Sequence, residues 1–275
     1  VVKRLRILQD SETARLAKEN PGVRWNPDDW CPTCLKNDVD DYKNSFYKHD
    51  GKVVQCDCYE QMMLFKHYSL AGIGKSYHRL DWRDYARSTK LKAKVNQYVE
   101  RHQEYVDRGL GLLFTGPVGT GKTMLANLVL KDLVKLGYKC HAAAAQETTN
   151  NMTATWRSIE EKRRFEDIYE RSEVLLLDDV GRDLINDRTG EVSEEKKFKE
   201  NILDSILRKR VQYGRPTFIT TNLSTGELLE GYGQAVHSLL TEKTIVVPLV
   251  GEDFRPNIVS HEIDEAERGE RSPIR

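Results

Sequence analysis

The chain has no excess of either charge: Lys+Arg and Asp+Glu stand at 43 each in 275 residues. A protein that coats nucleic acid through bulk charge is basic, so any such binding has to come from a local patch. Long apolar runs are missing as well. None approaches the roughly 20 residues that span a bilayer. The leading VVKRLRILQD carries basic residues with no apolar core or cleavage site behind them, unlike a secretory signal. These absences predict a cytoplasmic chain with no membrane partner. Cysteine is scarce too, with five residues, four of them clustered. Without a secretory signal they read as thiols or metal ligands rather than disulfides.

What is present is a soluble composition, 31% charged and 39% hydrophobic, in a length that suits one large domain or a medium domain with a small appendage. Residues 3–20 carry a helical pattern that stops at Asn20-Pro21-Gly22. Residues 21–60 are interrupted by Pro21, Pro27, Pro32 and Gly51 and lack the periodicity of a self-sufficient core. A short helix is predicted over 60–70 and a long one over 91–108. Beyond them strands (110–116, 138–145, 173–181, 216–222, 244–250) alternate with helices (122–137, 194–213). That order predicts an α/β fold, a parallel sheet flanked by helices. The division expected is a module over 1–70, a nucleotide-binding domain over 71–260 and a flexible tail over 261–275.

Gly116-Pro117-Val118-Gly119-Thr120-Gly121-Lys122-Thr123 fits G-x-x-x-x-G-K-[ST] without a mismatch, between a predicted strand and a predicted helix. The glycines let backbone N–H groups turn toward phosphate oxygens, and the helix N-terminus adds partial positive charge. The cofactor-binding candidates are therefore residues 116–123 and the adjoining Met124. Lys122 is expected to reach the β and γ phosphates of ATP, and Thr123 to hold Mg²⁺.

The strand VLLLDDVG delivers Asp178 and Asp179 at its C-terminal edge, where ligands bind in open α/β sheets. Asp178 is the second Mg²⁺ candidate. Asp179 is the candidate to polarise the attacking water; the plainer alternative is a strand ending in two solvated acids. Asn222, after the next strand, is placed to hold that water or the γ-phosphate. Alone it would read as a turn former.

The order of these motifs resembles the AAA+ ATPases. AGIGKSYHRLDWRDY (71–85) and RKRVQYGRPTFITTNL (208–223) resemble the DnaC/DnaI helicase loaders and the related IstB transposition helpers. The resemblance covers roughly residues 70–258. It implies an ATPase of replication that binds a DnaB-type helicase and single-stranded DNA and self-assembles on ATP or helicase. An IstB-type helper of a transposase and a nucleotide-binding adaptor with little hydrolysis are the alternatives. GEDFR (251–255) matches the family's late arginine, which makes Arg255 the candidate γ-phosphate sensor. The family's arginine finger falls on Leu239, in Ser238-Leu239-Leu240. Leucine cannot stabilise transition-state charge, so either Lys243, Arg210 or another cation substitutes or hydrolysis is weak.

Cys31-x-x-Cys34 and Cys56-x-Cys58 form two close pairs separated by 21 residues. Four thiolates suit a closed, structural Zn²⁺ site, and coordination would supply folding energy that this segment lacks. His49 or His67 replacing one cysteine, a redox dithiol and an iron–sulfur cluster remain open. Within the resembled clade, some loaders carry a zinc-bound N-terminal module that docks on the helicase. Trp25, Tyr42, Phe46 and Tyr47 around the pairs read as mini-core or partner surface. Lys162–Arg164 and Arg208–Arg210 read as solvated helix faces or a single-strand path. Cys140, on a predicted strand, is expected to be a small buried residue.

Overall fold

The computed structural model of the chain describes residues 46–56, 58–85, 89–156, 158–181, 194–251 and 253, with isolated positions at 18, 263–264, 267–268 and 273–275. An antiparallel hairpin comes first, β1 (Phe46–His49) paired with β2 (Lys52–Gln55). Its tight turn uses Asp50 and Gly51, both at positive φ. Helix α1 (Cys58–Leu70) follows. The stretch expected as one helix over 91–108 is two, α2 (Thr89–Glu100) and α3 (His102–Asp107), broken at Arg101.

Five strands then build the sheet: β3 (Gly111–Thr115), β4 (Cys140–Ala144), β5 (Val174–Val180), β6 (Thr217–Thr221) and β7 (Thr244–Pro248). Their order is β4-β5-β6-β3-β7, and every pairing is parallel. Strands β3 and β6 are buried at every position, as parallel strands covered on both faces must be. The α/β class read from the sequence is therefore present. Between strands run α4 (Lys122–Lys135), α5 (Ala145–Ala154), α6 (Ile159–Phe165), α7 (Glu194–Gln212) and α8 (Thr225–Lys243). A full capping box at Ser224 and Glu227 starts α8, satisfying two backbone donors reciprocally.

The core has two layers. On one face α4 contributes Leu125, Val129 and Leu133 against Phe114, Leu176 and Phe218. Leu64, Phe65 and Tyr68 of α1 join this layer, which anchors α1 to the α4 face of the sheet. On the other face Ile202, Ile206 and Leu207 of α7 and Val236 and Leu240 of α8 meet Leu175, Leu177 and Ile219. Within the stretch expected as a tail, Ile274 is buried. There Tyr68 Oη donates to Arg275 O at 2.8 Å and the Arg275 N–H to His78 O at 3.1 Å.

Candidate nucleotide site

The loop joining β3 to α4 is shaped by backbone constraints. Gly116 adopts φ 141°, and a Cβ there would lie 2.1 Å from the Leu249 carbonyl oxygen. Only glycine lets the loop leave β3 so close to the segment that follows β7. At Gly119, with φ 79°, a Cβ would lie 2.3 Å from the carboxyl carbon of Asp253, so that side chain closes over the loop. Thr120 is fully buried and donates its hydroxyl to Pro117 O at 2.8 Å. Pro117 and Val118 stay exposed at the rim.

Gly121 is the left-handed N-cap of α4, and the first N–H drawn into the helix is that of Leu125, donated to Gly121 O. The N–H groups of Lys122, Thr123 and Met124 thus belong to the first turn, where a helix leaves its donors to other partners. Met124 can offer only that N–H, because its side chain packs in the core. The Lys122 ammonium donates to Gly116 O at 2.8 Å and Pro117 O at 2.7 Å, across the mouth of the cradle. These are the residue types and the strand–loop–helix context that fit the phosphates of a nucleotide.

The strand order decides what faces this cradle. Strand β6 is inserted between β3 and β5, so Asn222, just past β6, lies between the loop and the double acid. Thr123 Oγ1 donates to Asp178 Oδ1 at 2.9 Å, and Asn222 Nδ2 donates to Asp179 Oδ1 at 3.1 Å. Lys122, Thr123, Asp178, Asp179 and Asn222 therefore gather at one sheet edge. Burial pushes the Asp178 carboxyl above the usual carboxylate range, against the hydroxyls of Thr220 and Thr123, which favour the charged form. Hydroxyl and carboxylate oxygens are the hard donors that Mg²⁺ takes alongside nucleotide phosphates, so Thr123 and Asp178 fit that ion. Thr220 was not singled out in the sequence, yet its hydroxyl contacts Asp178 at 2.5 Å and the Asp179 N–H at 2.8 Å. The only signal was its place two residues before Asn222.

The other candidates fall differently. Arg255, Cys31 and Cys34 lie outside the described residues. Cys56 is buried just before α1, which Cys58 opens. Among the described residues no group of three or more His, Cys, Asp or Glu is arranged to hold a metal ion. His67 lines a cavity with Tyr138, Cys140 and His141, beside β4. Cys140 is buried, as expected, and burial pushes its thiol up. Leu239 packs against the core from α8.

Arg210 cannot serve as a substitute finger. It is fully buried, and its guanidinium donates to Thr217 Oγ1 and to the carbonyls of Tyr169, Ser172 and Pro216 at 2.7–3.1 Å. Of the run 208–210 only Arg210 is enclosed; Arg208 and Lys209 stay solvated while pairing with Asp204 and Glu170. Lys162, Arg163 and Arg164 are exposed on α6.

A parallel sheet with an inserted strand, a glycine cradle and a facing double acid is the arrangement of a P-loop nucleotide-binding fold. Residues 112–230 match the family described as ATPase family associated with various cellular activities (AAA). The replicative helicase loader DnaC of Escherichia coli K12 is 26% identical over 146 residues, 52% of this chain and 54% of that protein. A candidate ATP-binding protein of insertion sequence IS5376 from Geobacillus stearothermophilus is 26% identical over 158 residues, 55% of this chain and 57% of that protein.

Among solved structures, that of the DnaC helicase loader superposes with a TM-score of 0.55 at 20% identity, covering 64% of this chain and all of that one. The structure of DnaI gives 0.51 at 20% identity, covering 64% of this chain and 94% of that one. The resemblance to the DnaC/DnaI-type loaders is thereby borne out in sequence and in fold. The chain spans little more than half the length of the curated relatives it matches. Among the described residues no helix is long and apolar enough to cross a membrane.

Proposed function

We propose that this chain is an ATP-dependent loader that binds a DnaB-type replicative helicase and assists its placement on single-stranded DNA. The observation that carries the ATPase half is Asn222, just past the inserted strand, in contact with Asp179 while Thr123 contacts Asp178. In this reading the N–H groups of the loop and Lys122 bind the phosphates. Thr123 and Asp178 hold Mg²⁺, whose charge offsets that of the phosphates. Asp179 accepts a proton from the attacking water, which Asn222 orients, and Arg255 senses the γ-phosphate. A neighbouring copy completes the site in an assembly: with Arg210 enclosed, Lys243 or another cation stands in for the missing finger, or hydrolysis is weak.

The helicase half rests on likeness to proteins named as helicase loaders. Residues 1–70 are the docking module, held by Zn²⁺ on Cys31, Cys34, Cys56 and Cys58, because two close cysteine pairs suit one tetrahedral ion. Residues 71–260 are the ATPase domain and 261–275 a tail. The reading is of a cytoplasmic protein. The experiment is pull-down with a DnaB-type helicase, with and without ATP, using Cys56→Ser as control. ATP-dependent capture that the variant loses supports the loader reading; equal absence of capture in every arm rejects it. The similarity to the insertion-sequence protein favours a second reading, a transposase helper, which predicts preference for duplex over single-stranded DNA.

A further inference from the structure

We infer that Thr220 is a positioning residue for both carboxylates of the site, acting through one hydroxyl. The pairing of β5 with β6 slips at this point: Leu177 faces Ile219 and Val180 faces Thr221. Asp178 and Asp179 together therefore oppose the single residue Thr220, a bulge of the kind that re-aims side chains. The bulge sets Asp179 at φ 59°, a left-handed conformation that aspartate tolerates better than most side chains.

The hydroxyl of Thr220, itself 1% exposed, has one proton to give. A backbone N–H can only donate, so the bond from Asp179 N at 2.8 Å fixes Thr220 Oγ1 as its acceptor. The hydroxyl proton then goes to Asp178 Oδ1 at 2.5 Å, the oxygen that also receives the Thr123 hydroxyl. One side chain thus stabilises the bulged backbone of Asp179 and orients the carboxylate of Asp178. Aspartate has only two side-chain torsions, so the reach of the Asp179 carboxylate toward Asn222 follows from where this bond holds its backbone. Both bonds of the Thr220 hydroxyl go to the double acid rather than to the phosphate cradle, which separates its role from nucleotide affinity.

The consequence for turnover rests on the hydrolysis reading above; the consequence for the backbone does not. Thr220→Val keeps the shape and removes the hydroxyl, and Thr220→Ser restores it. In nucleotide-free protein, amide hydrogen exchange at Asp179 is expected to quicken at least about tenfold in Thr220→Val and to stay near wild type in Thr220→Ser. Turnover is expected to fall on the order of tenfold to a hundredfold in Thr220→Val. Nucleotide affinity measured in EDTA should be unchanged, and Thr220→Ser should keep wild-type turnover.

Should Thr220→Val not fold, Thr220→Cys, similar in size and a poor hydrogen-bonding group, takes its place. Unchanged exchange at Asp179 overturns the inference. So does a loss of Mg²⁺-free affinity in proportion to turnover, which marks a general structural role. A wild type that never hydrolyses ATP defeats the hydrolysis reading alone, and Thr220 is then decided by the exchange result.

Discussion

Asn222 donates its side-chain N–H to the Asp179 carboxylate at 3.1 Å, joining the ends of neighbouring strands β6 and β5 where the cradle opens. A neutral amide there restrains the carboxylate without adding charge beside phosphates. Asp179→Asn should leave ATP affinity within about threefold of wild type and lower single-turnover hydrolysis by about a hundredfold or more. Filter binding and rapid-quench measurements on the same sample separate the two effects.

Gly116 meets the Leu249 carbonyl with no room for a Cβ, at a φ of 141° that side chains disfavour. Gly116→Ala should destabilise the domain by about 2 kcal/mol or more, through displaced backbone and not through a lost contact. Urea unfolding is the check. A nucleotide-binding defect at full stability would be the contrary outcome.

Arg210 is enclosed by the carbonyls of Tyr169, Ser172 and Pro216, and burial lowers its guanidinium to about 9. Removing it leaves those acceptors buried without their donor. Arg210→Ala should cost about 2–4 kcal/mol of stability, seen as a lowered melting temperature. Any loss of ATPase activity should follow the unfolded fraction and not be complemented by mixing with wild-type subunits, as a lost finger would be.

Lys131 of α4 donates to the carbonyls of Tyr77 and His78 at 2.9 and 3.0 Å. Burial lowers its ammonium from 10.5 to about 7. Between those values the unfolded chain binds a proton that the folded chain has released, so this group makes stability rise with pH from about 7 to about 10. Lys131→Met should remove that rise. Urea titrations at pH 7 and pH 9 test it by comparing the pH-dependent difference in wild type and variant.

The sheet was legible because each strand is a short apolar run beside turn residues, and 110–116, 173–181 and 216–222 all hold strands. The break at Arg101 was not, because the apolar spacing continues across it into Tyr105 and Val106. The hairpin Phe46–Gln55 was missed because its second strand is exposed along its length and shows no alternation of buried and solvent positions. Motif spacing singled out Lys122, Thr123, Asp178 and Asn222, which the fold brings to one sheet edge. Thr220 escaped because a threonine in a buried strand reads as β propensity, and only the pairing slip opposite Asp178-Asp179 reveals what its hydroxyl does. Arg210 misled in the opposite sense: beside Arg208 and Lys209 it looks like surface charge, whereas the turn of α7 points it into the core.

The most direct test of the account is ATP turnover by wild type, Lys122→Ala and Asp179→Asn, each alone, with single-stranded DNA, and with a DnaB-type helicase. The account predicts turnover by wild type that rises with helicase or DNA, and none above background in either variant. Wild type that binds ATP yet never exceeds Asp179→Asn in any arm would contradict it, and would leave a nucleotide-binding adaptor in place of an ATPase.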